Sequence, residues 1–200
     1  MLELNENFVC EEDLELASHG IRTARIAVAI ARVMDLPYGD VDAIALAARL
    51  HDVGKTKIDP EILNKPGPLD ADEWEDLQRH PQIGYDMIKS HVDAPVARMV
   101  LMHHERLDGC GYPGGASEAQ IDMPIRILHV ADAYDAITTL RPYQPAMPIE
   151  HAISELTSNM GTQFDPDPVQ ALISIVTYQL DRFAADDPIM RVPSTLAAVS

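Results

Sequence analysis

The spacing of apolar residues favours an all-helical fold for this chain. From Leu14 to Met34 the apolar side chains recur every three or four residues, which places them on one face of a helix. Further helices are predicted at 41–51, 70–80, 94–105, 124–140, 149–160 and 169–183. No segment shows a clear alternation of apolar and polar residues, the pattern of a half-buried strand. The predicted fold class is therefore all-α, a bundle of about seven helices.

Capping residues mark several of the predicted helix ends. Asp40 is a candidate N-cap for the second helix, and Gly54 a candidate C-terminal stop, so that the segment HDVGK (51–55) straddles a helix end. Asp70 followed by Glu73 has the spacing of a capping box. Pro81 then allows at most a kinked continuation. Two segments rich in proline or glycine are predicted as loops, 59–69 and 107–120.

The composition predicts one globular domain. With 200 residues, 46% of them hydrophobic, the chain can bury a full core. We assign the domain to residues 1–185 and a C-terminal tail to 186–200. Cys10 and Cys110 allow at most one disulfide and no thiolate zinc site, which suits a reducing cytoplasm.

Charge and hydropathy exclude two classes of partner. The net charge is −17, from 15 basic and 32 acidic residues, which is the wrong sign for binding long DNA or RNA. No apolar run approaches the ~18 residues of a membrane span, and the acidic N-terminus lacks the basic start of a signal peptide. We expect a cytoplasmic protein with no membrane partner. The oligomeric state stays open.

Histidines and carboxylates are the candidate metal ligands, and they are spread over five predicted helices or their ends: Glu15, His19, His51, Asp52, His80, His103, His104 and Asp132. Glu15 and His19 are four residues apart, so they leave one helix face and can share an ion; an exposed helical pair is the alternative. Adjacent ligands leave a helix about 100° apart and can reach different ions.

Imidazole and carboxylate ligands without thiolates favour iron, manganese, zinc or cobalt. Two such ions ~3.5–4 Å apart would activate a water and stabilise an in-line phosphoryl displacement. The residues therefore point to hydrolysis of a phosphoester. Lys55 follows Asp52 by three residues and is a candidate phosphate contact, although a solvated surface lysine is the alternative.

Six blocks of sequence resemble the HD-GYP domains, the subgroup of HD phosphohydrolases that hydrolyses the bacterial second messenger cyclic di-GMP. The blocks follow the family's order and lie within residues 10 to 180: HDVGK (51–55), ILNKPGPL (62–69), HPQIGYDMI (80–88), HHERLDGCGYP (103–113), VADAYDAITTLRPY (130–143) and GTQFDP (161–166). The resemblance implies an HD-type helical bundle with a loop at Gly111–Tyr112–Pro113.

The resemblance also implies residue roles. His19, His51, Asp52, His80, His103, His104 and Asp132 become metal ligands, with Asp52 as the bridge. Glu15 points to a third ion, and iron or manganese is the expected metal. Asp52 and Lys55 are the expected catalytic residues, and Lys55 and Arg141 the phosphate contacts. The products would be pGpG and, after a second cut, GMP. A diguanylate cyclase could dock on the loop 111–113.

One position departs from the family pattern. Many members carry a basic residue after the RPY triplet (141–143), whereas this chain has Gln144. This departure favours one alternative, a weakly active nucleotide- or partner-binding module. A hydrolase of another nucleotide also stays open, and so does a di-iron oxygenase, although HDVGK and the intact loop 111–113 disfavour the oxygenase. Trp74 is expected to be a packing anchor, and His129 is expected to have a structural or solvent-facing role.

Overall fold

The computed structural model of the protein describes residues 14–139 and 146–178. Over these residues the regular structure is helical, which confirms the predicted all-α class. The α-helices are α1 (Leu14–Val33), α2 (Tyr38–Leu50), α3 (Pro60–Leu63), α4 (Ala71–Leu77), α5 (His80–Ile88), α6 (Ala94–Met102), α7 (Met123–Thr138), α8 (Ile149–Ser158) and α9 (Pro166–Tyr178), with 3-10 turns at Val53–Lys57 and Glu118–Gln120.

Helix α7 occupies the centre of the bundle. It packs against α1, α2, α6, α8 and α9, and its buried side chains point in all directions around the helix. A helix buried on every side belongs to the interior of a domain. Helices α1 and α2 lie against each other, and a Cβ at Gly20 of α1 would lie 3.0 Å from the backbone oxygen of Arg49 on α2, so the two backbones approach closely there. Asp132, on α7, is thereby held in the middle of the molecule.

The predicted ends of α2 are wrong in detail. The helix begins at Tyr38 after Pro37, so Asp40 lies inside the first turn instead of capping it. The helix ends at Leu50, and Gly54 lies in the following 3-10 turn. A Cβ at Gly54 would lie 2.0 Å from the carbonyl oxygen of His80. Glycine is therefore required there because the turn presses directly onto α5, and not because it stops a helix.

The segment from 59 to 88 is more divided than predicted. The predicted loop contains the single-turn helix α3, which begins at Pro60, the residue after Asp59. The capping box of Asp70 and Glu73 is confirmed: each side chain accepts a hydrogen bond from the other's backbone N–H. Helix α4 ends at Leu77, and α5 starts as a separate helix with Pro81 in its first turn. Helix α9 starts three residues before the prediction.

Two predicted features lie outside the described residues. The tail 186–200 and the end of the last predicted helix are among them. Within the described part of the chain, no helix is both long and apolar enough to cross a membrane.

Candidate metal centre

Seven of the predicted ligands converge in the bundle interior. His19 lies on α1, the pair 51–52 follows α2, His80 begins α5, the pair 103–104 follows α6, and Asp132 lies on α7. Their ligand atoms form two groups, each with all atoms within 4.8 Å of one another. The groups are His19, His51 and Asp132, and Asp52, His80, His103 and His104.

Asp52 lies between the two groups. Its Oδ2 atom is 3.4 Å from Nε2 of His51 and 3.6 Å from Nε2 of His19. Its Oδ1 atom is 3.3 Å from Nε2 of His80 and 3.9 Å from Nε2 of His103. One carboxylate thus presents one oxygen to each group, an arrangement that can bridge two ions.

Asp132 also reaches both groups. Its Oδ1 atom is 3.0 Å from Nε2 of His19 and 3.5 Å from Nε2 of His51. Its Oδ2 atom is 4.0 Å from Nδ1 of His104. The two carboxylates therefore face a common space that the imidazoles surround.

Three of the histidines are oriented by the helices that precede them. Nδ1 of His51 donates to the carbonyl of Ala48, and Nδ1 of His103 to the carbonyl of Val100, both at 2.7 Å. Nδ1 of His80 donates to the carbonyl of Leu77 at 2.8 Å. Each acceptor lies in the last turn of a helix, where carbonyls lack intrahelical partners. The hydrogen bond leaves Nε2 free of its proton in the neutral ring and aimed at the shared space.

His19 is oriented by a carboxylate that sequence analysis missed. Nδ1 of His19 lies 2.7 Å from Oδ2 of Asp135. Arg22 binds the same carboxylate with two hydrogen bonds, from Nε at 2.8 Å and from Nη2 at 3.0 Å. Asp135 is buried and lies one turn after Asp132 on α7. That three-residue spacing placed both aspartates on one helix face and could have predicted the contact.

Three of the histidines in the centre have shifted pKa values of opposite direction. Burial lowers the pKa of His51, but Asp52 and Asp132 outweigh it and raise the pKa to about 10. Burial, followed by the charges of His104 and His51, holds the pKa of His103 well below its usual value. Burial likewise lowers the pKa of His104. At neutral pH the metal-free first group carries a proton that His103 and His104 lack.

Two buried polar atoms test whether the centre suits a metal ion. Nε2 of His51 and Oδ1 of Asp52 are buried, yet neither has a hydrogen-bond partner among the described residues. Leaving such atoms unpaired is unfavourable, because each has lost its hydration. Oδ1 of Asp52 is an electron-pair donor, and Nε2 of His51 becomes one when the ring loses its proton; both lie within groups of imidazole and carboxylate ligands. This donor set fits divalent metal ions.

The remaining predicted site residues have different outcomes. Nζ of Lys55 lies 2.7 Å from Oδ2 of Asp52, so the lysine belongs to the centre. Glu15 is exposed on the first turn of α1, outside the two ligand groups. Arg141 and Gln144 lie outside the described residues.

The loop after α6 is built onto the centre. Tyr112 lies over His104 with ring centroids 4.7 Å apart, and its backbone N–H donates to the carbonyl of His104. The buried carboxylate of Glu105 accepts hydrogen bonds from the backbone of Gly114 at 2.7 Å and of Ala116 at 2.8 Å. A Cβ at Gly111 would lie 2.4 Å from the backbone nitrogen of Arg106, so only glycine fits there. Glu105 is thus a structural part of the site that the sequence analysis did not assign, whereas Tyr112 belongs to the loop 111–113 that it singled out.

Two residues outside the centre were also given structural roles. His129 is buried against Phe164, and burial lowers its pKa to about 4, as expected for a neutral core histidine. Trp74 is 46% exposed, so the expectation of a buried packing anchor is wrong.

A family profile described as HD domain matches residues 3–167. The chain belongs to the HD domain family. This HD domain is 39% identical over 155 residues to the cyclic di-GMP phosphodiesterase response regulator RpfG of Xanthomonas campestris, covering 76% of this chain and 41% of that protein. It is 41% identical over 159 residues to the 3'3'-cGAMP-specific phosphodiesterase 3 of Vibrio cholerae, covering 78% and 34%.

Solved structures share the fold. Bd1817, an HDG"Y"P protein from Bdellovibrio bacteriovorus, superposes with a TM-score of 0.69 at 21% identity, covering 81% of this chain and 52% of that one. The chain spans less than half the length of the two relatives named above.

Proposed function

We propose that this HD domain is a metal-dependent phosphodiesterase that opens cyclic di-GMP to linear pGpG, with GMP as the product of a second cut. The observation that carries the proposal is the position of Asp52, whose two oxygens face two separate groups of ligands. Bound divalent ions would activate a water and offset charge on the phosphoryl oxygens. Histidine and carboxylate ligands suit iron, manganese, zinc or cobalt. We propose iron or manganese, because the resemblance to the HD-GYP domains implies them.

The residues around the ions have distinct parts in this proposal. The first group and the second group would each hold one ion, and Asp52, with one oxygen near each group, would contact both. Lys55, whose side chain is partly exposed, places a positive charge at the rim where a phosphate can meet it. Glu15 lies one turn before His19 on α1 and is the proposed ligand of a third ion.

The names of two relatives support cyclic dinucleotides as the substrate class, and the two named substrates differ in their bases. RpfG is named for cyclic di-GMP, and the Vibrio cholerae relative is named for 3'3'-cGAMP. Both substrates are cyclic dinucleotides with phosphodiester bonds. A second candidate, hydrolysis of 3'3'-cGAMP, is therefore favoured by the 41% identity to that relative.

Some predictions stay predictions. Arg141 as a phosphate contact lies outside the described residues. The docking of a diguanylate cyclase on Gly111–Tyr112–Pro113 and a cytoplasmic location also remain proposals. Many HD-GYP domains carry a basic residue where this chain has Gln144. Because of this difference, a weakly active binding module is kept as the alternative function.

The test is purification without oxygen in the presence of iron or manganese, followed by metal analysis and chromatography of cyclic di-GMP and 3'3'-cGAMP. Asp52→Ala is the control. We expect the wild type alone to form pGpG or GMP and to bind two or three ions per chain. A metal-loaded wild type that leaves both cyclic dinucleotides intact would rule out the phosphodiesterase and favour the binding module.

A further inference from the structure

Trp74 is the single tryptophan of the chain, and it lies at the surface beside the metal centre. Its ring meets that of Tyr112 edge to face, with centroids 6.2 Å apart and planes at 77°. The ring of Tyr112 in turn lies 4.7 Å from that of His104, tilted by 37°. A row of three aromatic rings therefore leads from a predicted metal ligand to solvent.

Packing in the hydrophobic core does not account for the position of the Trp74 side chain. Helix α4 buries none of its side chains fully, and 46% of Trp74 remains accessible. The indole and Tyr112 are not stacked in parallel, so Tyr112 leaves much of the indole uncovered. An aromatic ring that stays exposed beside a site offers a face on which a ligand ring can stack.

Helix α4 holds the indole in a defined position. The capping box of Asp70 and Glu73 closes the first turn, and the backbone N–H of Trp74 donates to the carbonyl of Asp70 at 2.9 Å. The carboxylate of Glu73 also pairs with Lys65, which ties the preceding loop to the helix. The backbone that carries the indole is therefore ordered before a ligand binds, and only the two side-chain torsions of Trp74 remain to be fixed.

We propose that Trp74, with Tyr112 beside it, is a stacking subsite for one nucleobase of the cyclic dinucleotide. This inference rests on the proposed function, which places the phosphates at the metal centre and Lys55. The bases then lie outside the ligand groups, where an exposed indole can meet a base face. The chain has a net charge of −17, which repels an anionic nucleotide except near local cations. Stacking on a neutral ring holds the base without requiring a further cationic side chain.

Stacking predicts a specific pattern of selectivity. Every base has a π-face, so stacking tolerates different bases. The subsite should therefore contribute similarly to binding of cyclic di-GMP and of 3'3'-cGAMP. Discrimination between guanine and adenine must come from hydrogen bonds elsewhere.

Since Trp74 is the single tryptophan, its fluorescence reports the subsite directly. The metal-loaded wild type is titrated with GMP, which carries no diester to hydrolyse, and with ribose 5-phosphate, which has the phosphate but no base. We expect GMP to quench the emission and ribose 5-phosphate to leave it unchanged. Calorimetric binding of GMP without quenching would overturn the proposal, as would absence of GMP binding at millimolar concentration.

Kinetics of three variants provide the second arm. Trp74→Leu should raise KM for both cyclic dinucleotides by about fivefold or more, with kcat and metal content nearly unchanged. Trp74→Phe should keep most of the affinity. Tyr38→Leu removes an 85% exposed aromatic ring at the opposite end of α2 from His51 and should change nothing. An unchanged KM in Trp74→Leu would overturn the stacking subsite.

The two proposals can fail separately. If the wild type hydrolyses neither cyclic dinucleotide, the proposed function fails, and the GMP titration still decides whether Trp74 contacts a base. If the wild type is active and Trp74→Leu behaves like Tyr38→Leu, the subsite alone fails.

Discussion

His19 contacts a different aspartate through each of its ring nitrogens. Nδ1 lies 2.7 Å from Asp135, and Nε2 lies 3.0 Å from Asp132. Both aspartates project from α7, one helical turn apart. The imidazole of α1 is therefore fixed between two carboxylates of the central helix, one that faces the ligand group and one that holds the ring.

Replacement of Asp135 should weaken metal binding without touching a ligand. Asp135→Asn removes the charge that orients His19 and pairs with Arg22, and loss of such a supporting carboxylate typically lowers metal affinity about 10- to 100-fold. Metal titration followed by elemental analysis measures the change. Asp86→Asn, at an exposed aspartate on α5 that pairs with Lys89, is the matched control. Equal affinity in the two variants would contradict a positioning role for Asp135.

Replacement of Gly54 should destabilise the fold. The added Cβ of Gly54→Ala would lie 2.0 Å from the backbone oxygen of His80, and the turn and α5 must move apart. We expect the free energy of unfolding to fall by an amount near the upper end of about 1–3 kcal/mol. Each kcal/mol lowers Tm by about 2–4 °C at this chain length. Thermal unfolding of the metal-free proteins measures this.

Gly39→Ala is the control for Gly54→Ala. No atom lies within 4 Å of a Cβ at Gly39, and alanine favours a helix over glycine. Its Tm should be equal to or slightly above that of the wild type. A similar Tm for the two variants would show that the turn can relax away from α5.

Metal uptake should release protons, and mostly from the first group. The metal-free His51 has a pKa of about 10 and is protonated at pH 7, whereas a metal ligand must be neutral. His103 and His104, with lowered pKa values, are already neutral. Affinity at the first group should therefore rise as pH increases from 6 to 9, and affinity at the second group should change less.

Calorimetry in two buffers of different ionisation enthalpy counts the protons released per ion. We expect the ion bound at His103 and His104 to release few protons and the other ion to release at least about one. Equal proton release at both steps would contradict the assignment of the proton to His51. Activity should fall on acidification together with metal content; activity lost while metal is retained would argue for another titrating group.

Replacement of Glu105 should loosen the loop that carries Tyr112. Glu105→Ala removes the acceptor of the backbone N–H groups of Gly114 and Ala116, at a cost of about 2 kcal/mol for hydrogen bonds to a charged group. Hydrogen exchange at these two amides should become faster. Glu105→Gln keeps one acceptor oxygen and should be intermediate. Unchanged exchange in Glu105→Ala would mean that the loop is held elsewhere.

The sequence predicted the proposed metal ligands better than the residues that hold those ligands and the neighbouring loop in place. Seven histidines and aspartates were assigned from motif positions, and the structure brings all seven together. Asp135 was missed because its role depends on α1 lying against α7, which helical periodicity does not specify. Glu105 was missed because its partners are backbone amides of a loop without a regular pattern.

Sequence patterns predicted the structure correctly where all the interacting atoms lie within one turn of the chain. The capping box of Asp70 and Glu73 involves only atoms of one turn, and it is present as predicted. Gly54 was interpreted locally as a helix stop, but its role comes from the backbone of α5 across the contact. Trp74 was expected in the core because it is large and apolar, and only the packing of α4 shows that its ring stays exposed.

The imidazoles of His51, His80 and His103 perform two tasks with their two nitrogens. Each ring closes the C-terminal end of a helix through Nδ1 and presents Nε2 to the centre. This suggests a rule for designers of metalloproteins: a histidine placed just after a helix, bonded to a carbonyl of its last turn, is aimed without any additional supporting residue. Three helix ends brought to one point would then place three of the seven proposed ligands from backbone geometry alone.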